Sequence, residues 1–155
     1  MKMKLIIISM TLLYTMQVQA QNATVTDEEL TKYATAIDSI NEMSAEIRIM
    51  ITEMVKSNNQ ITASRYNELS SIIKDEAKLT EAKATPEEIA FVKEVATKKE
   101  EATAGINQTF QALAKDYVGV STFNKVKKAL STEPELKTKY DSLITEMSKD
   151  NPVVQ

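Results

Sequence analysis

Thr26-Asp-Glu-Glu-Leu-Thr-Lys-Tyr33 opens the stretch that decides the fold. Thr26 followed by Glu29 has the form of a capping box. The threonine oxygen accepts from the first helical turn, and the glutamate reaches back to the threonine amide. Behind it, Leu30, Tyr33, Ile37, Ile40, Ser44, Ile47, Ile51 and Met54 recur as a heptad, with Ala36, Met43 and Met50 widening the stripe. Apolar residues at this period belong to a helix that covers one face, as coiled coils do. A helix over about 27–56 would be roughly 45 Å long at the usual rise per residue.

Working outward, Ser57-Asn-Asn-Gln60 ends that helix, because these side chains compete for the backbone and favour turns. A second helix is expected from about Thr62 to near Ala84, with Tyr66, Leu69, Ile72, Ile73 and Ala77 on one face. Thr85-Pro-Glu-Glu88 starts a third, with proline at the first helical position, where its missing donor costs nothing. Its stripe is Ile89, Val92, Ala96, Lys99, Thr103, Ile106, Phe110 and Leu113. Val118-Gly119 makes the next turn, and Ser121 to Leu130 forms a fourth helix. Thr132-Glu-Pro-Glu135 reads as one more capping box, launching a last helix with Leu136, Tyr140, Leu143, Ile144 and Met147. With two glycines and three prolines in 155 residues, little else interrupts the helical period. The expected class is all-α, an antiparallel helical bundle.

The second half repeats the first. A shift of 59 lays Thr26-Asp-Glu-Glu-Leu30 on Thr85-Pro-Glu-Glu-Ile89, Ile47 on Ile106, Met54 on Leu113 and Lys56 on Lys115. After the turn the shift becomes 57, and Ile61-Thr-Ala-Ser-Arg-Tyr-Asn-Glu-Leu69 falls on Val118-Gly-Val-Ser-Thr-Phe-Asn-Lys-Val126. Leu79 then lies on Leu136. The expected organisation is two duplicated long-helix, short-helix hairpins, repeat 1 over about 26–82 and repeat 2 over about 85–147, closing into one bundle.

Three segments carry a family resemblance: Thr26 to Tyr33, Val118 to Val126, and Ser131-Thr-Glu-Pro-Glu-Leu136. Together they resemble the bacterial domain-of-unknown-function family 4168 over nearly all of the chain after residue 20. The resemblance implies an exported, all-helical bacterial domain and brings no activity and no catalytic residues with it. The chain departs from that pattern in the first half, where Lys78-Leu79 lacks the proline found at Pro134.

Residues 1–20 read as a cleaved signal peptide: basic Met1-Lys-Met-Lys4, an apolar run from Leu5 to Met16, then a polar end with Val18 and Ala20 where a signal peptidase reads small residues. The apolar run is about a dozen residues, short of the roughly 20 that span a bilayer. The expected product is a single helical domain, 21–155, exported to the periplasm or outside the cell, with no stable membrane anchor. It would carry 17 basic against 22 acidic side chains, a balance that disfavours nucleic acid. Lys125, Lys127 and Lys128 cluster, but they read as a solvated helix face.

The chain has no cysteine and no histidine. That removes disulfides, Ser-His-Asp and Cys-His nucleophiles, and the usual zinc and di-iron sets. No glycine-rich phosphate loop occurs. Glu42 with Glu46 and Glu100 with Glu101 are the remaining acid pairs, read as surface charge, while Glu94 with Lys98 and Glu135 with Lys139 have the spacing of surface ion pairs. Ser44 and Thr103 take one heptad position in the two repeats, near Lys99, and read as a polar packing layer or, alternatively, a small pocket. Ile49 and Phe91 lie off their stripes and either cover the short helices or form an exposed apolar patch. No catalytic, cofactor-binding or metal residue is assigned. The expected function is a non-enzymatic interaction or scaffolding domain with another envelope protein as partner. The alternatives are a carrier of a small apolar ligand, or a chaperone-like binder of hydrophobic segments.

Overall fold

In the computed structural model, residues 24–152 are described. The expected signal peptide, residues 1–20, lies outside them. Six α-helices follow one another: α1 (Asp27–Ser57), α2 (Ala63–Ile72), α3 (Glu76–Glu81), α4 (Pro86–Ala112), α5 (Val120–Thr132) and α6 (Pro134–Met147). A π-helical turn over Leu113–Tyr117 extends α4, and a 3-10 turn over Ser148–Asp150 extends α6. The chain is all-α and forms a helical bundle.

The capping boxes at Thr26 and Thr85 are both closed. Each threonine hydroxyl accepts from the amide three residues on, and Glu29 and Glu88 each accept from the capping residue's amide at 2.9 Å. These bonds satisfy donors that the first turn of a helix otherwise leaves without a partner. Thr132 does not do the same. Its hydroxyl donates back to Lys128 and Ala129 carbonyls within α5, and extended Glu133 precedes Pro134 without a side-chain cap. Thr132 still belongs to the last turn of α5, so it is not available to open α6.

The segment expected as one helix from Thr62 to Ala84 is two. Asp75 stands between them in an extended conformation. Its amide donates to the Ile72 carbonyl, and its carboxylate accepts from the Lys78 amide and caps α3. Aspartate forms such a cap more readily than it sits inside a helix.

The two long helices run antiparallel. Phe123 touches both Tyr33, near the start of α1, and Phe110, near the end of α4, with ring centroids 4.8 and 5.5 Å apart. One apolar cluster forms where α1 begins, from Val25, Leu30, Tyr33, Val126 and Ala129, with Phe123, Leu136, Tyr140 and Leu143 packed on it. The other forms where α4 begins, from Ile61, Leu69, Leu79 and Val92, with Tyr66, Ile72, Ile89 and Phe91 around it. α6 lies parallel to α1, since Lys139 meets Asp27 and Asn151 meets Asp38. Full burial of Leu30 and of Leu69 is worth roughly 1.5–3 kcal/mol each.

Between these ends the packing thins. Ala45 is the single buried residue of α1 between Ala36 and Val55, and α4 has none after Val95. Residues 96–101 of α4 are exposed all the way round. The described residues form two cores, one at each end of a helix pair.

Candidate functional site

The residues most open to a functional role fall into three places: the polar positions of the middle, the apolar seam beside them, and the ionic clamps at the ends. In the middle, Ser44 is half-buried and donates to the Ile40 carbonyl at 2.7 Å. Thr103 donates to the Lys99 carbonyl at 2.7 Å, but it is exposed, as Lys99 is. Both hydroxyls are thus spent on the preceding turn of their own helix, a local habit of serine and threonine. They do not form a shared core layer. The stripe of α4 is exposed at Ala96, Lys99 and Thr103 and is half-buried again at Ile106, Phe110 and Leu113.

The apolar seam lies on α1. Ile40, Met43, Ile47, Met50, Ile51 and Met54 are all half-buried, and Ile49 keeps the same partial exposure. Phe91 covers the short helices, meeting Tyr66 edge-on at 6.3 Å. Tyr66 and Phe123, matched by the sequence shift, are both half-buried against their respective clusters. Two large apolar side chains stand clear at the corner after α4: Tyr117 at 46 % and Val120 at 57 % exposure.

The clamps were not legible as such. Arg65 of α2 holds Glu88 through two parallel bonds, Nε to Oε1 at 2.9 Å and Nη2 to Oε2 at 3.1 Å. It also reaches the Ala82 carbonyl and Glu68. One side chain therefore ties α2, the end of α3 and the start of α4. At the opposite end Lys125 of α5 contacts Glu29 at 2.6 Å and donates to the Thr24 carbonyl at 3.3 Å. Lys125 is consequently an ion-pair partner, not part of a solvated face, whereas Lys127 and Lys128 are exposed. Both capping glutamates are held below the ordinary carboxylate range, Glu88 chiefly by Arg65 and Glu29 chiefly by Lys125. Arg65 is raised in turn by Glu88 and Glu68. A basic residue in each short helix was the available signal, but its partner lies on another helix.

The acid pairs Glu42 with Glu46 and Glu100 with Glu101 are exposed. Lys139 pairs with Asp27 across helices and not with Glu135. An open cleft of about 660 Å³ lies beside that pair, between the start of α1 and the α5–α6 corner, edged by Thr24, Val25, Glu133 and Leu136. Among the described residues, no side-chain polar atom is buried without a partner, and no group of three acidic residues is placed to hold a metal ion. No described helix is long and apolar enough to cross a membrane. Comparison with known family models, curated proteins and solved structures brings no match for this chain.

Proposed function

We propose that this chain is an exported, non-enzymatic helical domain that works as an interaction or scaffolding module of the cell envelope, with another envelope protein as partner. The observation that carries this reading is the incompletely buried seam of Ile40, Met43, Ile47, Met50, Ile51 and Met54 along the thinly packed middle. Unbranched, polarizable methionine side chains adapt to varied apolar partners, and such surfaces recur where proteins hold other chains. The same seam favours a chaperone-like grip on hydrophobic segments over carriage of a small ligand. Carriage of an apolar ligand would call for an enclosed apolar cavity, whereas the cleft beside Asp27 and Lys139 is open and edged by Thr24, Glu133 and Glu135.

The proposal includes a duplicated origin. Two capping boxes, a long helix followed by two shorter ones in each half, and a clamp on each capping glutamate support it. The resemblance to domain-of-unknown-function family 4168 belongs to the same proposal, as does cleavage after Ala20. Crosslinked pull-down from the host envelope, comparing the natural chain with a Met43→Lys, Met50→Lys variant, tests the role. One envelope protein should be enriched by the natural chain and lost with a variant that keeps its helicity. Equal recovery by both, or a stoichiometric small molecule seen by native mass spectrometry, would overturn it.

A further inference from the structure

Neither half of this molecule builds its core alone. α1 lies along α4, α5 and α6, while α4 lies along α1 and α2. The start of α1 is covered by Val126, Ala129, Leu136 and Tyr140 from the second half. The start of α4 is covered by Ile61, Leu69 and Leu79 from the first. Each capping glutamate is clamped across the same divide, Glu29 by Lys125 and Glu88 by Arg65. The halves are joined only by residues 82–85, between the end of α3 and Pro86.

That joint is tight and backbone-strained. Lys83 has φ 52°, the one non-glycine residue at positive φ among those described. Around it the Ala84 amide donates to the Leu79 carbonyl and the Lys83 amide to the Thr80 carbonyl, which closes a Schellman turn. Glycine is the usual occupant of this position, because a side chain there crowds the backbone. Arg65 latches the turn from outside through the Ala82 carbonyl.

We propose that a second copy of this chain is a partner for these surfaces, joined by reciprocal exchange of halves when the 82–85 turn opens. Residues 24–82 of one copy then lie on residues 85–152 of the other, and every contact between halves is kept. The arrangement is two-fold and closes on itself, so it gives a dimer and not a filament. The surfaces offered to the second copy are those already seen paired within one chain, and a short strained hinge is the feature that favours exchange. This inference rests on the contacts between halves. It stands or falls independently of the envelope role.

The chain has no cysteine, so thiols can be placed freely. Full-length protein carrying Glu29→Cys and Lys125→Cys is treated with a short bismaleimide, with and without deletion of Lys83 and Ala84. The natural joint should give mainly an intrachain link. The deletion should give a dimer by light scattering, linked between chains on a reducing gel, with helicity retained. Shortening the joint can also abolish folding, so a second arm keeps the natural joint. The double-cysteine chain is unfolded and refolded at rising protein concentration before crosslinking. The interchain fraction should rise with concentration, and should fall to background when ten Gly/Ser residues lengthen the joint. Intrachain links alone at every concentration would overturn the proposal, as would interchain links insensitive to the length of the joint.

Discussion

Where α1 begins, Tyr33 meets Phe123 at 4.8 Å and Tyr140 at 5.9 Å, under a fourteen-residue α6. Where α4 begins, the cover is a six-residue α3 and a single edge-on pair, Tyr66 with Phe91. The clamps run the other way. The aromatic-rich end has separate ammoniums, Lys125 on Glu29 and Lys139 on Asp27, whereas the leaner end has the forked guanidinium of Arg65 on Glu88, Glu68 and Ala82 at once. An arginine fork fixes direction as well as charge, which a lysine does not. The pair teaches that one plan, a capped long helix laid on two shorter ones, is held at one end chiefly by apolar area. At the other end directed hydrogen bonds make up for what the short α3 does not cover.

The largest effects come from the cores. Leu30→Ala and Leu69→Ala each remove a fully buried side chain and should each cost about 2–5 kcal/mol in urea unfolding. If the two ends fold as one unit, both variants shift a single transition. Two separate transitions would break the comparison into two independent domains. Next in size is Gly119→Ala. Gly119 sits at φ 87° where the chain turns into α5, and an added Cβ would meet nothing within 4 Å. Its expected cost, about 1–3 kcal/mol, is therefore backbone strain alone.

The clamps should be unequal. Arg65→Met is expected to lower the melting midpoint more than Lys125→Met, and the reverse order would contradict the assignment of roles. Both capping glutamates are depressed below 4.5 in the folded chain. Their contribution is therefore present above that ordinary value and is lost as pH falls through the folded one. Glu88→Gln should flatten the acid limb of the stability–pH curve, and an unchanged limb would count against the clamp. The smallest effect is at the joint, where Lys83→Gly should stabilise by up to about 1 kcal/mol by relieving the positive φ.

The sequence disclosed the parts of this fold better than their meeting places. The helical class, the extent of α1 and both early capping boxes follow from local chemistry, where spacing and capping residues act within a few positions. The break at Asp75 was missed because Ile72, Ile73 and Ala77 continue a helical stripe across it. The Thr132 cap was misplaced for a related reason: threonine at a helix end can bond backward or forward, and only the neighbouring turn decides. Pattern failed most in the middle. Ala96, Lys99 and Thr103 keep the heptad register of a buried face, yet all three are exposed because, among the described residues, no third helix covers them. The Arg65–Glu88 and Lys125–Glu29 clamps span helices, so neither is visible in local spacing.

Amide hydrogen exchange resolved along the chain tests most directly the claim of two cores joined by a thin middle. Exchange should be slowest in two separate zones. One contains Leu30 to Ala36 with Val126 to Ala129, and the other contains Leu69 with Val92 and Val95, each residue being buried there or flanking buried ones. Residues 96–105 of α4 should exchange measurably faster than both, although they are equally helical. Protection that peaks in 96–105, or runs uniformly along α4 from Val92 to Phe110, would contradict the two-core account.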